Sequence, residues 1–250
     1  MPSRLMTSNF VGSGVELTLV SETFDEFEPR PDEARRQASK TEPECVAVVE
    51  DDERVRTALV FQIGTAGFRV NPFSAAEELL AQDTSQYDCV VADIFLPRMN
   101  GLVLQDRLKD LDPFVSIVFI TGRGDLALGV EAMKRGAVDV LEKPVGDTTI
   151  LNAIARGVTL SRAERERNAR RRDLEARFKS LPARQREVFR LVTSGMLNKQ
   201  VAAELRITER TVKVHRERLR RKMGADSLAE LARIAEILQI HSSSPLSARV

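Results

Sequence analysis

The sequence has few of the residues that build metal clusters or disulfides, and it has no long apolar run. Its 250 residues include two cysteines, Cys45 and Cys89, and two histidines. Each cysteine begins an apolar segment, so we expect two small buried side chains in a reducing cytosol. The spacing of cysteines and histidines excludes a zinc pattern. No run reaches membrane-spanning length and the amino terminus lacks a signal-peptide core, which predicts a soluble, cytoplasmic protein without a membrane partner.

The net charge of +1 conceals an asymmetry along the chain. Residues 162–222 contain 20 Lys and Arg against 8 Asp and Glu, a net charge of +12. The other residues contain 18 against 29, a net charge of −11. An acidic part joined to a basic part indicates that only the second binds a polyanion, the alternative being a solvated basic face.

Residues 45–160 alternate between short apolar runs and amphipathic segments, which favours a parallel α/β sheet. The crossovers should be right-handed, and the strand order 2-1-3-4-5 brings the first, third and fifth strand ends around one crevice. We therefore predict a doubly wound, flavodoxin-like sheet of five parallel strands. The predicted strands are 45–50, 68–72, 88–93, 115–120 and 138–141, and the predicted helices are 53–66, 74–82, 101–110, 125–135 and 147–160.

Polar side chains follow four of these strands at the same edge of the sheet. Clustered carboxylates repel one another unless a cation lies among them, and hard oxygen ligands favour Mg²⁺. A hydroxyl and an ammonium group could bind the oxygens of a phosphoryl group on the central aspartate. In strand order the side chains are Glu50, Asp51 and Asp52, then Asp93, then Thr121, and finally Lys143.

This set resembles the receiver domain of two-component response regulators, over about residues 45–160. The resemblance implies that Asp93 is the phosphoacceptor and that Thr121 and Lys143 act on the phosphoryl group. It also implies a site for Mg²⁺ or Mn²⁺ whose ligands are three carboxylates and one backbone carbonyl, those of Glu50, Asp51, Asp93 and Phe95.

Two positions near Lys143 carry further expectations. Pro144 follows the lysine, and the bond between them is expected to be cis. The family often has Tyr or Phe three residues before the lysine, and this chain has Val140 there. We therefore expect signal transmission from Asp93 not to depend on an aromatic side chain that turns inward.

Residues 181–240 have the periodicity of helices alone. A short helix from Asn198 to Leu205 is separated by a three-residue turn from a longer helix that ends at Met223. Ser227 and Glu230 have the spacing of a capping box for a final helix. The long helix has an apolar face, Val212, Leu219 and Met223, and a basic face opposite, which together predict a helix-turn-helix.

The strings Arg184-Gln185-Arg186-Glu187-Val188, Asn198-Lys199 and Thr211-Val212-Lys213-Val214-His215 resemble the LuxR-type helix-turn-helix. The motif would run from Asn198 to Glu217. Lys213, Val214 and Glu217 look like the base-facing set, and Arg216 and Arg220 are better placed for phosphates. The full DNA-binding set that we expect is Asn198, Lys199, Thr211, Lys213, Val214, Arg216, Glu217 and Arg220.

The predicted organisation has five parts. Residues 161–177 are charged almost throughout and should form a solvated helical linker, although a short coiled-coil seam is an alternative. The parts are a disordered tail at 1–44, the receiver domain at 45–160, the linker at 161–177, the LuxR-type domain at 178–241, and a disordered tail at 242–250.

Together the two resemblances imply a response regulator of the FixJ/NarL type and not an enzyme. Members of the FixJ branch act in nitrogen fixation, nodulation and aromatic catabolism. A sensor histidine kinase would phosphorylate Asp93, and the protein would dimerise, bind an inverted repeat in double-stranded DNA, and act with RNA polymerase, as an activator.

Three other functions fit the sequence less well. A haloacid-dehalogenase-type phosphatase needs a second acid where this chain has Phe95. A nucleotide-binding protein needs a glycine-rich loop where this chain has acids from Glu50 to Glu53. A phosphorylation-independent DNA-binding regulator with a degenerate receiver is the alternative that Val140 leaves open.

Overall fold

The computed structural model describes residues 43–122 and 126–240, except for the side chain of Leu126. The predicted tails therefore lie outside the described residues, apart from Pro43 and Glu44. In the described part, five strands form one parallel sheet in the order β2-β1-β3-β4-β5, which confirms the predicted topology. The strands are Cys45–Val49 (β1), Arg69–Phe73 (β2), Cys89–Asp93 (β3), Ser116–Thr121 (β4) and Asp139–Glu142 (β5).

Helices flank this sheet and continue into the carboxyl-terminal part. Around the sheet they are Glu53–Thr65 (α1), Ala76–Leu80 (α2), Gly101–Leu111 (α3), Leu126–Lys134 (α4) and Asp147–Lys179 (α5). Beyond it they are Ala183–Thr193 (α6), Asn198–Leu205 (α7), Glu209–Met223 (α8) and Leu228–Ile237 (α9). Within the described ranges, no helix combines the length and apolarity needed to cross a membrane.

The predicted helix 74–82 is too long, because only Ala76–Leu80 is α-helical. Ser74 stays outside the helix and donates its hydroxyl and its backbone N–H to the carboxylate of Glu78. A short 3₁₀ turn, Thr84–Gln86, then leads to β3. Side-chain bonds of this kind compete with helix formation at its start.

The sheet is buried on both faces, as expected for a parallel sheet covered by helices. Every residue of β1 and β3 is buried. Alternate residues of these strands point to separate cores, with Ala47 and Val90 in one and Val48 and Val91 in the other. This burial leaves the carboxyl ends of the strands as the place where polar side chains meet.

Helix α5 is a single helix of 33 residues that includes the predicted linker. The linker is not solvated throughout, because Ser161 is buried near its start and Leu174 near its end. Leu174 packs into the carboxyl-terminal core, whereas Ile150 and Ile154, earlier in the same helix, pack on the sheet. The helix therefore contributes to two separate cores.

The last two helices, α8 and α9, each begin at a residue whose side-chain hydroxyl caps the helix. Thr208 accepts from the backbone N–H of Thr211 at the start of α8, and Gly224 ends that helix with φ of 68°. Ser227 accepts from the N–H of Glu230 at the start of α9. The predicted capping box is only half correct, because the Glu230 carboxylate accepts from the N–H of Asp226 and not of Ser227.

Candidate functional site

Three carboxylates meet at the carboxyl edge of the sheet. Glu50 directly follows β1, Asp51 comes next, and Asp93 ends β3. Each contributes an oxygen atom, and these atoms lie within 4.8 Å of one another. Glu50 and Asp93 are buried, whereas Asp51 is exposed. We call these three residues the acid cluster.

Lys143 supplies the cation opposite this cluster. Its Nζ lies 2.6 Å from Oδ2 of Asp93 and 2.7 Å from Oε2 of Glu50. The other oxygen of Asp93, Oδ1, accepts from the backbone N–H of Phe95 at 2.8 Å. Both oxygens of Asp93 are therefore hydrogen-bonded, one to the loop after β3 and the other to the residue that follows β5.

The pKa values in this group follow from burial and pairing. Burial raises the pKa of Glu50 above its ordinary value, although Lys143 opposes the change. For Lys143, burial alone would lower the pKa, but the hydrogen bonds to Asp93 and Glu50 outweigh it and the pKa is raised. Lys143 is therefore cationic at neutral pH and suited to binding an anion.

Asp52 does not belong to the acid cluster, because it is the N-cap of α1. Its Oδ1 accepts from the N–H groups of Arg54 and Val55 at 2.8 and 3.2 Å. These hydrogen bonds lower the pKa of Asp52. The carboxylate of Asp52 therefore caps α1 and is not free to join the acid cluster.

Arg56 is a residue near the site that sequence reasoning missed. Its Nη1 donates to the carbonyl oxygens of Glu50 and Asp51, at 2.6 and 3.2 Å. It thereby ties the segment that bears the acid pair to α1. One turn into a predicted helix, Arg56 had the pattern of an ordinary surface charge, and only its position five residues after Asp51 could have suggested the contact.

Thr121 lies on β4, the strand next to the one that Asp93 ends, and Val140 lies on β5, one strand further out. Thr121 is buried at the end of β4, and its carbonyl accepts from the backbone N–H of Lys143. The Lys143–Pro144 bond is cis, as expected. Val140 is half-buried in β5, and a Cβ added to Gly129 of α4 would lie 3.3 Å from its Cγ1.

The predicted recognition helix, α8, has the two faces that its sequence indicated. Val212, Leu219 and Met223 are buried in the carboxyl-terminal core. Lys213, Val214 and Glu217 are exposed, as is Lys199 on α7, and Thr211 is half-buried in the first turn of α8.

Two arginines of α8 hold neighbouring segments. Nη1 of Arg216 donates to Oδ1 of Asn198 at 2.5 Å, which links α8 to the start of α7. Nη2 of Arg220 donates to the carbonyl of Asp226 at 2.6 Å, just before α9. A groove of about 320 Å³ brings five of the predicted DNA-binding side chains together: Asn198, Lys213, Arg216, Glu217 and Arg220.

Two segments of the chain match known protein families. Residues 46–155 match the family described as response regulator receiver domain, and residues 179–235 match the luxR family of bacterial regulatory proteins. Nodulation protein W of Bradyrhizobium diazoefficiens is 39% identical, over 84% of this chain and 94% of its own length. The transcriptional regulatory protein FixJ of Rhizobium meliloti is 40% identical, over 76% of this chain and 94% of its own.

A solved structure gives the same result for most of the chain. The response regulator StyR is 38% identical, with a TM-score of 0.69, over 78% of this chain and 99% of that protein. The family functions in transcription control and is not a family of enzymes. The chain therefore belongs to the response regulators that join a receiver domain to a LuxR-type DNA-binding domain.

Proposed function

We propose that Asp93 accepts a phosphoryl group from the phosphohistidine of a sensor kinase. A carboxylate oxygen of Asp93 attacks phosphorus, the bond from phosphorus to the histidine nitrogen breaks, and an acyl phosphate forms. The observation that carries the proposal is the ammonium group of Lys143 at 2.6 Å from Asp93. A charge in that position, with the hydroxyl of Thr121, would stabilise the oxygens of the transferred group.

The acid cluster fits the Mg²⁺ that receiver domains bind in an acidic pocket, and Mn²⁺ would suit the same oxygen ligands. The proposed ligands are the carboxylates of Glu50, Asp51 and Asp93 and the carbonyl of Phe95. When bound, the ion would offset the negative charge that the phosphoryl oxygens bring to three carboxylates. Arg56 would keep the acid pair in place from the side of α1.

In the DNA-binding domain, α8 would enter the major groove. Lys213, Val214 and Glu217 are exposed together on this helix and would contact base edges. The proposed phosphate and backbone contacts are made by Asn198, Lys199, Thr211, Arg216 and Arg220. The hydrogen bonds of Arg216 and Arg220 within the domain would orient both side chains for that role.

Phosphorylation would cause two copies of the protein to dimerise through their receiver domains. Val130 and Met133 of α4 leave 46% and 47% of their surface exposed. Together they offer an apolar face next to β5 that a second copy could cover. Two paired proteins would then bind an inverted repeat and recruit RNA polymerase as an activator in the cytoplasm.

Labelling with a small phosphodonor tests the phosphoacceptor. We expect the wild-type protein with Mg²⁺ to form an acid-stable, base-labile acyl phosphate, and Asp93→Asn to form none. Asp52→Asn is the matched control, because Asp52 is the helix cap and should leave labelling in place. Label that persists in Asp93→Asn would show that another side chain accepts the phosphoryl group.

A further inference from the structure

The three carboxylates of the acid cluster are not held to the same extent. Glu50 and Asp93 are buried, and each accepts a hydrogen bond from Nζ of Lys143, at 2.7 and 2.6 Å. Asp51 is exposed and lies between the end of β1 and the start of α1. An exposed side chain on a segment between two elements keeps conformational freedom unless its backbone is fixed. The position of the Asp51 carboxylate therefore depends on how its backbone is held.

One side chain holds the backbone on both sides of Asp51. Nη1 of Arg56 donates to the carbonyl of Glu50 at 2.6 Å and to the carbonyl of Asp51 at 3.2 Å. The first carbonyl belongs to the peptide group before Asp51, and the second belongs to the peptide group after it. Because a peptide group is planar, a hydrogen bond to its oxygen restrains the orientation of the whole unit. Arg56 belongs to α1, so these bonds orient Asp51 relative to the start of that helix.

The charge of Arg56 has the opposite effect on a cation in the acid cluster. A guanidinium is positively charged at neutral pH and would repel a divalent cation. Arg56 is only half-buried, so water and salt screen this repulsion. Mg²⁺ demands a nearly ideal arrangement of oxygen ligands, and groups that orient such ligands typically contribute roughly 10- to 100-fold to metal affinity. We therefore expect the effect of geometry to exceed the effect of charge.

We propose that Arg56 positions Asp51 as a metal ligand and thereby raises the affinity of the acid cluster for Mg²⁺. The inference rests on the proposed function, because the metal is the one assigned there to the acid cluster. The two hydrogen bonds from Arg56 to this segment end on backbone carbonyls, so Arg56 acts on the metal through the residue that it orients. It is a positioning residue and not a catalytic one.

Titration calorimetry with Mg²⁺ on the full-length protein tests the inference. Arg56→Met keeps the unbranched stem of the side chain and removes its hydrogen-bond donors. We expect the dissociation constant of this variant for Mg²⁺ to be about tenfold higher than that of the wild type. An affinity that stays the same, or that increases because a positive charge is gone, would overturn the inference.

Arg54→Met is the matched control, because it removes the same charge from the first turn of α1. The Arg54 side chain is exposed, and the residue contacts the segment before the helix through its backbone N–H, which donates to Asp52. Methionine keeps that N–H, so this variant should bind Mg²⁺ at least as tightly as the wild type. An equal loss of affinity in both variants would show that the contacts of Arg56 are not its cause.

Two further measurements separate positioning from a general loss of structure, with circular dichroism as the check on folding. Arg56→Lys keeps the charge but lacks the forked donor group, so it should also bind Mg²⁺ more weakly, and wild-type affinity in this variant would count against the inference. Labelling of Arg56→Met by a small phosphodonor should reach the wild-type rate, with half of the maximum at about tenfold more Mg²⁺. A lower maximal rate with an unchanged half-maximum would contradict a role in metal binding.

The inference and the proposed function can fail separately. If the wild type binds Mg²⁺ and is labelled on Asp93, but Arg56→Met binds Mg²⁺ equally well, the inference fails and the proposed phosphoacceptor stands. If Asp93→Asn is labelled as the wild type is, the proposed phosphoacceptor fails, and calorimetry still decides whether Arg56 sets the affinity for Mg²⁺.

Discussion

Gly101 shows how one missing side chain lets the segment that ends β3 meet the next helix. A Cβ at this position would lie 2.9 Å from the carbonyl oxygen of Asp93 and from the Cα of Ile94. Because both neighbours are backbone atoms, they cannot move aside easily. We expect Gly101→Ala to lower the free energy of unfolding by about 1–3 kcal/mol, as overpacking does.

Gly64 of α1 provides the matched control for urea denaturation. Among the described residues, a Cβ there would have no atom within 4 Å beyond its chain neighbours and the backbone of its own helix. Gly64→Ala should therefore raise the free energy of unfolding by about 0.5 kcal/mol, since alanine is the better helix former. Stabilisation by both substitutions would contradict the close approach at Gly101.

At the residue scale, the acid cluster was predictable because the carboxyl ends of parallel strands lie at the same edge of the sheet. The role of Arg56 was not predictable, because its contacts are with carbonyl oxygens and depend on the path of the chain after β1. The same limit applies to Gln105, which has the sequence pattern of a surface helix residue but is buried.

At the scale of elements, several ion pairs join α5 to the rest of the receiver, and the most buried of them links Arg165 to Asp112. Nη2 of Arg165 lies 2.6 Å from Oδ2 of Asp112 and also donates to the carbonyl of Tyr87. The side chain of Asp112 is 7% exposed and that of Arg165 is 25% exposed. Arg165→Ala would leave a buried carboxylate unpaired, and we expect a loss of about 3 kcal/mol in the free energy of unfolding.

Arg167, one half-turn further along α5, is the control for this prediction. It pairs with Glu164, but its side chain is 74% exposed. Arg167→Ala should change the free energy of unfolding by less than about 0.5 kcal/mol, as exposed pairs do. Thermal or urea unfolding of the two variants checks the difference, and equal effects would show that the Arg165 pair is solvated.

The elements themselves were largely predictable from periodicity, and the exceptions have physical causes. Helix α2 is shorter than its pattern because Ser74 bonds to Glu78 outside the helix. Helix α5 is less solvated than its charge suggested, because burial of Leu174 depends on contacts with distant helices. Charge patterning cannot register such contacts.

At the scale of the whole molecule, the excess of basic residues lies where DNA would bind. Two substitutions on α8 should weaken binding in different ways. Lys213→Ala should relax sequence preference by roughly 1–3 kcal/mol, because an exposed side chain in the groove reads bases. Arg216→Ala should weaken all DNA sites alike and flatten the salt dependence by about one unit.

The assignment of Lys213 to bases and Arg216 to phosphates is checked by measuring affinity for specific and for random DNA at several salt concentrations. Arg218→Ala is the control, since this exposed arginine lies on α8 outside the predicted contact set. Melting temperatures should accompany the Arg216 data, because that side chain also holds Asn198. Equal loss of specificity in the Lys213 and Arg216 variants would refute the assignment.

The remaining whole-molecule prediction concerns how phosphorylation at Asp93 reaches the DNA. An acyl phosphate would add about −1.5 to −2 charges beside Thr121, which ends β4, and Lys143, which directly follows β5. In the sequence α4 lies between these two strands. Pairing of two receivers would set two recognition helices about one turn of DNA apart. Val130→Glu should therefore block dimerisation, because it places a charge on the apolar face, while labelling of Asp93 continues.

Sedimentation with and without phosphodonor measures dimerisation of the wild type and of Val130→Glu. Binding to a palindromic DNA site is measured under the same two conditions. Phe61→Glu is the control, because Phe61 is 73% exposed on α1, which packs at the other edge of the sheet. That variant should dimerise as the wild type does. A wild-type protein that stays monomeric when phosphorylated, and binds the palindrome no better, would exclude the dimer mechanism. Dimerisation by Val130→Glu would instead place the pairing surface on another face.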